Sequence, residues 1–127
     1  MHDSGKTYSL PANPLLNQWG LSGVWTAGSD SVVLRAAPGK ILFRFRSRDL
    51  HLVVAPTKDG KPVRFRVTLD GAAPGDNYGS DSTPDGTGEV REPRLYQLIR
   101  QKGQIKDRTF EIEFLDPGVQ AFDFTFG

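Results

Sequence analysis

Apolar and polar residues alternate with a period of two over much of this chain, and the most regular run lies near its C-terminus. In Phe110–Phe126, Phe110, Ile112 and Phe114 alternate with Glu111 and Glu113. Asp116-Pro117-Gly118 interrupts, and Phe122, Phe124 and Phe126 then alternate with Asp123 and Thr125. A period of two marks a strand with one buried and one wet face. Proline fixes φ and glycine accepts positive φ, so the interruption predicts a turn. The stretch therefore predicts a hairpin with five phenylalanines and an isoleucine on one face. Each large side chain gains roughly 1.5–3 kcal/mol on full burial, so the rest of the chain must cover that face.

The same period recurs upstream. Lys40–Arg46 turns Ile41, Phe43 and Phe45 inward and Arg44 and Arg46 outward. Pro62–Asp70 turns Val63, Phe65, Val67 and Leu69 inward and Arg64, Arg66 and Thr68 outward. Leu21–Ala27, Val32–Arg35 and Leu50–Ala55 predict further strands, with Pro38-Gly39 closing the second of these. Glu92–Arg100 is ambiguous: Leu95, Leu98 and Ile99 suit a helix, but Pro93 and the neighbouring strands favour a strand. About eight short strands separated by turns predict an all-β protein, an antiparallel β-sandwich of jelly-roll type. The expected inner faces set Ile41/Phe43/Phe45 and Val63/Phe65/Val67/Leu69 against Phe110/Ile112/Phe114 and Phe122/Phe124/Phe126. Residues 1–17 read as an extended lead-in whose leucines, Leu10, Leu15 and Leu16, dock on the body. Residues 18–127 form a single sandwich domain.

Composition adds mostly exclusions. The 127 residues are enough for one domain with a substantial core. With 16 basic and 15 acidic residues, the net charge of +1 supplies no field for nucleic acid or an anionic membrane. The chain has no cysteine, so it carries no thiol chemistry of its own. No apolar run reaches the ~20 residues of a membrane span, and the N-terminus has no apolar signal core. Outward Arg44, Arg46, Arg64 and Arg66 lie on two strands and Glu111 and Glu113 on a third. Cross-strand charge pairs contribute about 0.2–1 kcal/mol each, which suits a role in strand pairing; an anion-binding patch is the alternative.

Several longer runs together resemble one family: LNQWGLSGVW at 16–25, RDLHLVV at 48–54, PVRFRVTLDG at 62–71, EPRLYQLIRQ at 92–101, and FEIEFLDPGVQAF with the ending FTFG. In this order they resemble the C-terminal domain of DipZ-like proteins, bacterial thiol–disulfide and cytochrome c biogenesis proteins. The resemblance covers nearly the whole chain. It implies a carbohydrate-binding-module-like sandwich that follows a thioredoxin-like domain in a longer parent, outside the cytoplasm. The redox cysteines of such parents lie in the thioredoxin-like domain, so no redox role is carried to a residue of this chain. Tyr78 and Ser47 depart from the family pattern, where histidine and alanine are common.

Ala72–Gly88 is a long irregular stretch, and such loops are often functional. Modules that bind sugars stack exposed aromatic rings on a pyranose and fix its hydroxyls with polar groups. The candidate glycan-binding residues are Trp19, Tyr78 and Tyr96 for stacking, with Arg94, Gln97 and Asp81 as polar partners; Trp25 reads as core. Asp76, Asp81, Asp85 and Glu89 crowd one loop and form a candidate structural calcium set, although their spacing is not that of an EF-hand. No other cofactor is expected. His51 with Asp49, and Glu111 with Glu113, are the nearest approaches to acid–base pairs. No nucleophile motif accompanies the first, and two neighbours on one strand face do not flank a scissile bond. The expected function is a non-catalytic accessory module that binds glycan; the alternative is an interaction domain that docks on the neighbouring thioredoxin-like domain. Neither nucleic acid nor membrane is an expected partner.

Overall fold

The computed structural model describes residues 6–8, 15–28 and 31–126. The expectations for Leu10, Pro11 and Pro14, and for inward side chains at Phe124 and Phe126, fall outside the described residues.

The fold is all-β and antiparallel, as the alternation predicts. Among the described residues nine strands follow one another: β1 Lys6–Tyr8, β2 Trp19–Ala27, β3 Val32–Phe45, β4 Asp49–Ala55, β5 Val63–Leu69, β6 Thr87–Val90, β7 Arg94–Arg100, β8 Arg108–Phe114 and β9 Gln120–Phe126. A 3-10 turn, Gly75–Asn77, is the one helical element among the described residues. No helix of the described residues is long and apolar enough to cross a membrane.

The strands run β6-β5-β8-β3-β9-β4-β7, with β2 along β3 and β1 along β2. The sheet is curled into two leaves, and β3 belongs to both. Its C-terminal half, Gly39–Phe45, pairs with β8; its first residues, Val32 and Val33, pair with β9. The Pro38-Gly39 pair expected to end a strand instead sits within this continuous one, where the β2–β3 register shifts. Gly23 lies opposite, with φ +104°; a Cβ there would come within 3.0 Å of the Pro38 carbonyl oxygen. The two strands approach too closely at the bend for a side chain.

This topology revises two sequence expectations. First, β8 and β9 do not pair with each other. β8 lies between β5 and β3 in one leaf, and β9 lies between β3 and β4 in the other. Asp116-Pro117-Gly118 therefore carries the chain between leaves instead of closing a hairpin. Neighbours from both sides fasten it: Arg64 N–H donates to Asp116 Oδ2 at 2.9 Å, and Gly118 N–H to the Leu34 carbonyl at 2.8 Å. Second, Ile41/Phe43/Phe45, the inward residues of β5 and Phe110/Ile112/Phe114 share one leaf. The opposing surface comes from Leu50, Leu52 and Val54 of β4, Tyr96 and Leu98 of β7, Ala121, and Leu34 and Trp25, all in one buried cluster. Trp25 meets Phe114 edge-on across the core, ring centroids 6.1 Å apart and planes at 77°, a favoured aromatic geometry.

Phe122 does not join the core. The β4–β9 register moves from Val53↔Asp123 to Val54↔Ala121, so Phe122 is the extra residue of a β-bulge. Ala121 is buried in its place and Phe122 is 43 % exposed. A second bulge, in β7, lies between Leu50↔Ile99 and His51↔Gln97. It sets Leu98 and Ile99 side by side in the interior, which explains the helix-like spacing of an actual strand. Leu15 and Leu16, expected to dock, are exposed in the turn just before β2.

Candidate functional site

β7 is the outermost strand of its leaf, and the long loop after β5 covers its free edge. Gly79 N–H donates to the Leu98 carbonyl at 3.0 Å, and Asp81 N–H to the Gln97 carbonyl at 2.9 Å. Tyr78 bridges to Ile99, the buried Ser82 hydroxyl donates to Leu98 O at 2.9 Å, and Lys102 N–H donates to Asn77 Oδ1 at 2.8 Å. An exposed edge invites pairing with other chains, and a covering loop prevents it. Gly79 lies flat on β7: a Cβ there would meet the Gln97 carbonyl oxygen at 2.3 Å. Sequence reasoning did not single out Gly79, Ser82 or Asn77. The signal available was the density of small and turn-forming residues between 74 and 88, which indicates a loop but not its seat.

Asp81 fastens this cover. Its carboxylate accepts from Arg94 Nη2 at 2.7 Å, Arg94 Nη1 at 3.1 Å and Gln97 N–H at 2.7 Å. The hydrogen bond from Arg94 holds the Asp81 carboxyl below its ordinary pKa, the Gln97 amide adds to this, and partial burial opposes it. Asp81 in turn raises the Arg94 guanidinium. Arg94 also lies over the Tyr96 ring, its Cζ 3.9 Å from the centroid.

Tyr96 is consequently not a stacking platform. It is 2 % exposed. Its hydroxyl accepts from the backbone N–H groups of Arg91 (3.1 Å) and Glu92 (3.2 Å) and donates to the Glu92 carbonyl at 2.8 Å. It pins the β6–β7 connection, a structural use that satisfies a buried phenol. Asp81 and Arg94, expected as ligand contacts, are likewise committed to each other.

The remaining candidates separate. Beside the covered edge runs an open groove of about 580 Å³, lined by Asp49, Asp76, Tyr78, Gly79, Ser80, Gln97, Ile99, Arg100 and Lys102. Of the candidate glycan residues, Tyr78, 42 % exposed, and Gln97 both line this groove. Trp19 is not among the lining residues. It is 55 % exposed at the first residue of β2, opposite Phe43. Trp25 is core, as expected.

The candidate calcium set does not converge: among the described residues no three histidine, aspartate or glutamate side chains group to hold a metal. Asp81 is bound by Arg94, and Glu89 pairs with Arg91 at 2.9 Å. Asp49 is drawn to arginines: Arg48 donates to its Oδ2 through Nη2 at 2.9 Å and Nε at 3.1 Å, and Arg100 Nε lies 3.8 Å from its Oδ1. On the outer face of the other leaf, Glu113 stands between Arg66 and Lys40 in register, while Arg64 pairs with Asp116 and Arg44 donates to Thr109. Of the two glutamates expected to face basic residues across strands, Glu113 does and Glu111 does not, lying opposite Leu42 and Thr68; Asp116 is an acidic partner the alternation did not indicate.

With the covered edge, the Asp81–Arg94 clamp and the open groove described, the chain can be set against known families. The profile of the thioredoxin-like C-terminal domain matches residues 1–127. The chain belongs to that family. No curated protein matches it. A thioredoxin-like C-terminal domain is an accessory domain of a thioredoxin-like protein, and this one has no cysteine.

Proposed function

We propose that this chain is a non-catalytic accessory domain of a thioredoxin-like protein of the DipZ-like group, acting outside the cytoplasm, and that its groove beside β7 binds a glycan. The observation that carries the reading is the groove itself: a part-exposed Tyr78 in one lining with Ser80, Gln97, Asp76 and Lys102. A ring face of this kind takes the apolar face of a pyranose, and the polar side chains take its hydroxyls. The groove is open, so much of a bound sugar stays in water and affinity is weak. Dissociation constants from millimolar to micromolar correspond to about 4–8 kcal/mol. Titration of the isotope-labelled chain with oligosaccharides tests this by amide shifts. Expected are shifts at Tyr78, Ser80 and Gln97 that Tyr78→Ala removes without unfolding the domain. Binding that survives Tyr78→Ala unchanged refutes the site.

A second reading, docking on the thioredoxin-like domain, is favoured by a different feature. Leu15, Leu16 and Trp19 are exposed and nearly consecutive at the start of β2. Exposed apolar groups gathered in this way suit a protein contact. Stabilisation of a separately produced thioredoxin-like domain by this chain, lost on Trp19→Ser, supports it; no change in that domain's melting temperature refutes it.

A further inference from the structure

We infer that the groove beside β7 selects an acidic glycan, one whose sugar carries a carboxylate, over neutral sugars; the inference rests on the glycan reading above. Overall charge is nearly balanced, and the groove lining matches Arg100 and Lys102 with Asp49 and Asp76 in number; what is uneven is how these charges are paired. Asp49 is turned toward Arg48, which already supplies it with two hydrogen bonds. Arg100, at 3.8 Å from Asp49, is in ion-pair range without a hydrogen bond and keeps its guanidinium donors. Lys102 is held at the groove through its backbone N–H by Asn77, and among the described residues no carboxylate lies in ion-pair range of its ammonium. Arg100 and Lys102 are thus two cationic donors with spare capacity in the same groove as an exposed aromatic ring. A carboxylate is the group that uses both, through charge-assisted hydrogen bonds roughly twice as strong as neutral ones. Asp76 and Gln97 remain for hydroxyls, and Tyr78 for the ring face.

The probes are trigalacturonate and a neutral galactotriose of the same linkage, titrated into the 127-residue chain and followed by amide shifts. The acidic trimer is expected to bind about 10-fold more tightly than the neutral one, and to lose most of that margin between about 20 mM and about 200 mM salt. Lys102→Gln is expected to bring the acidic trimer down to the affinity of the neutral one. Lys58→Gln, an exposed change in a distant turn, is expected to leave the preference in place. Equal binding of the two trimers, or a preference untouched by Lys102→Gln, overturns the acidic selectivity and leaves the glycan reading standing. Failure of both trimers to shift any groove amide overturns both.

Discussion

Removal of the Asp81 carboxylate separates the structural role of this residue from the ligand-binding role its loop position suggests. Asp81→Ala deletes two hydrogen bonds from Arg94 and one from the Gln97 amide. Hydrogen bonds to charged groups contribute about 1.5–3 kcal/mol each when shielded. The Arg94 side chain is 40 % exposed, so solvent screening removes much of its share. A net loss of about 2 kcal/mol follows for Asp81→Ala, and about half that for Asp81→Asn, which keeps an acceptor for Gln97. With a urea slope of about 1.5 kcal/mol/M for a domain of this size, the midpoint should fall by roughly 1 M. The loss should also be local. The Gly79 and Asp81 amides, which bond to Leu98 and Gln97, should lose exchange protection, while Ile112 in the other leaf keeps its own until global unfolding. With β7 uncovered, sedimentation should show concentration-dependent self-association. A midpoint shift below roughly 0.3 M with the Gly79 amide still protected would refute the clamp.

Three further outcomes can be checked directly. Phe114→Ala, which removes a fully buried ring against Trp25, should cost about 3–5 kcal/mol, whereas Phe122→Ala should cost under about 1 kcal/mol; equal losses in urea melts would contradict the bulge. Tyr96→Phe leaves two backbone N–H groups and a carbonyl without their partner and should cost about 1–2 kcal/mol in the same assay, with retention of the fold by circular dichroism. The bond from the Arg64 guanidinium, with the Arg64 amide, lowers Asp116 from the ordinary 3.8 to about 2. A depressed carboxylate stabilises the fold above its unfolded pKa, so this contribution is present above pH 3.8 and is lost as pH falls toward 2. Asp116→Asn should flatten the stability profile across that window, and an unchanged profile would remove Asp116 from the account.

The alternation of Phe110, Ile112 and Phe114, and of Val63 to Leu69, specified which elements are strands and which faces turn inward. That information is local, because side-chain direction follows from the two-residue period. Which strands pair is set by contacts between distant segments, and no local pattern carried it. The Asp116-Pro117-Gly118 turn has hairpin chemistry, yet it serves a crossover because β5 and β3 hold β8 on both sides. A one-residue bulge inverts a face, so Phe122 carries the period of a core residue and sits outside. At the groove, the sequence supplied Tyr78, Gln97 and Asp76. It did not distinguish an aspartate free for ligand from Asp81, because Arg94, its partner, lies on the strand that the loop covers. The Tyr96 hydroxyl was likewise satisfied by backbone, which composition does not display.

The sharing of β3 between both leaves bears on how the chain acquires its structure in time. Gly39–Phe45 waits for β8 and Val32–Val33 for β9, both supplied by the last fifth of the sequence. Neither leaf can complete its hydrogen bonds while the C-terminal strands are missing, so the two leaves mature together and not in succession. Loop closure over such separations precedes its reward, and sandwiches dominated by distant pairing fold in about milliseconds to seconds. During synthesis, β3 can pair with β2 along one edge, but its other edge must stay unmated until residues 108–126 have been made. The apolar face of the β2–β3 pair has no opposing leaf during that interval, the condition against which holding chaperones protect a nascent chain.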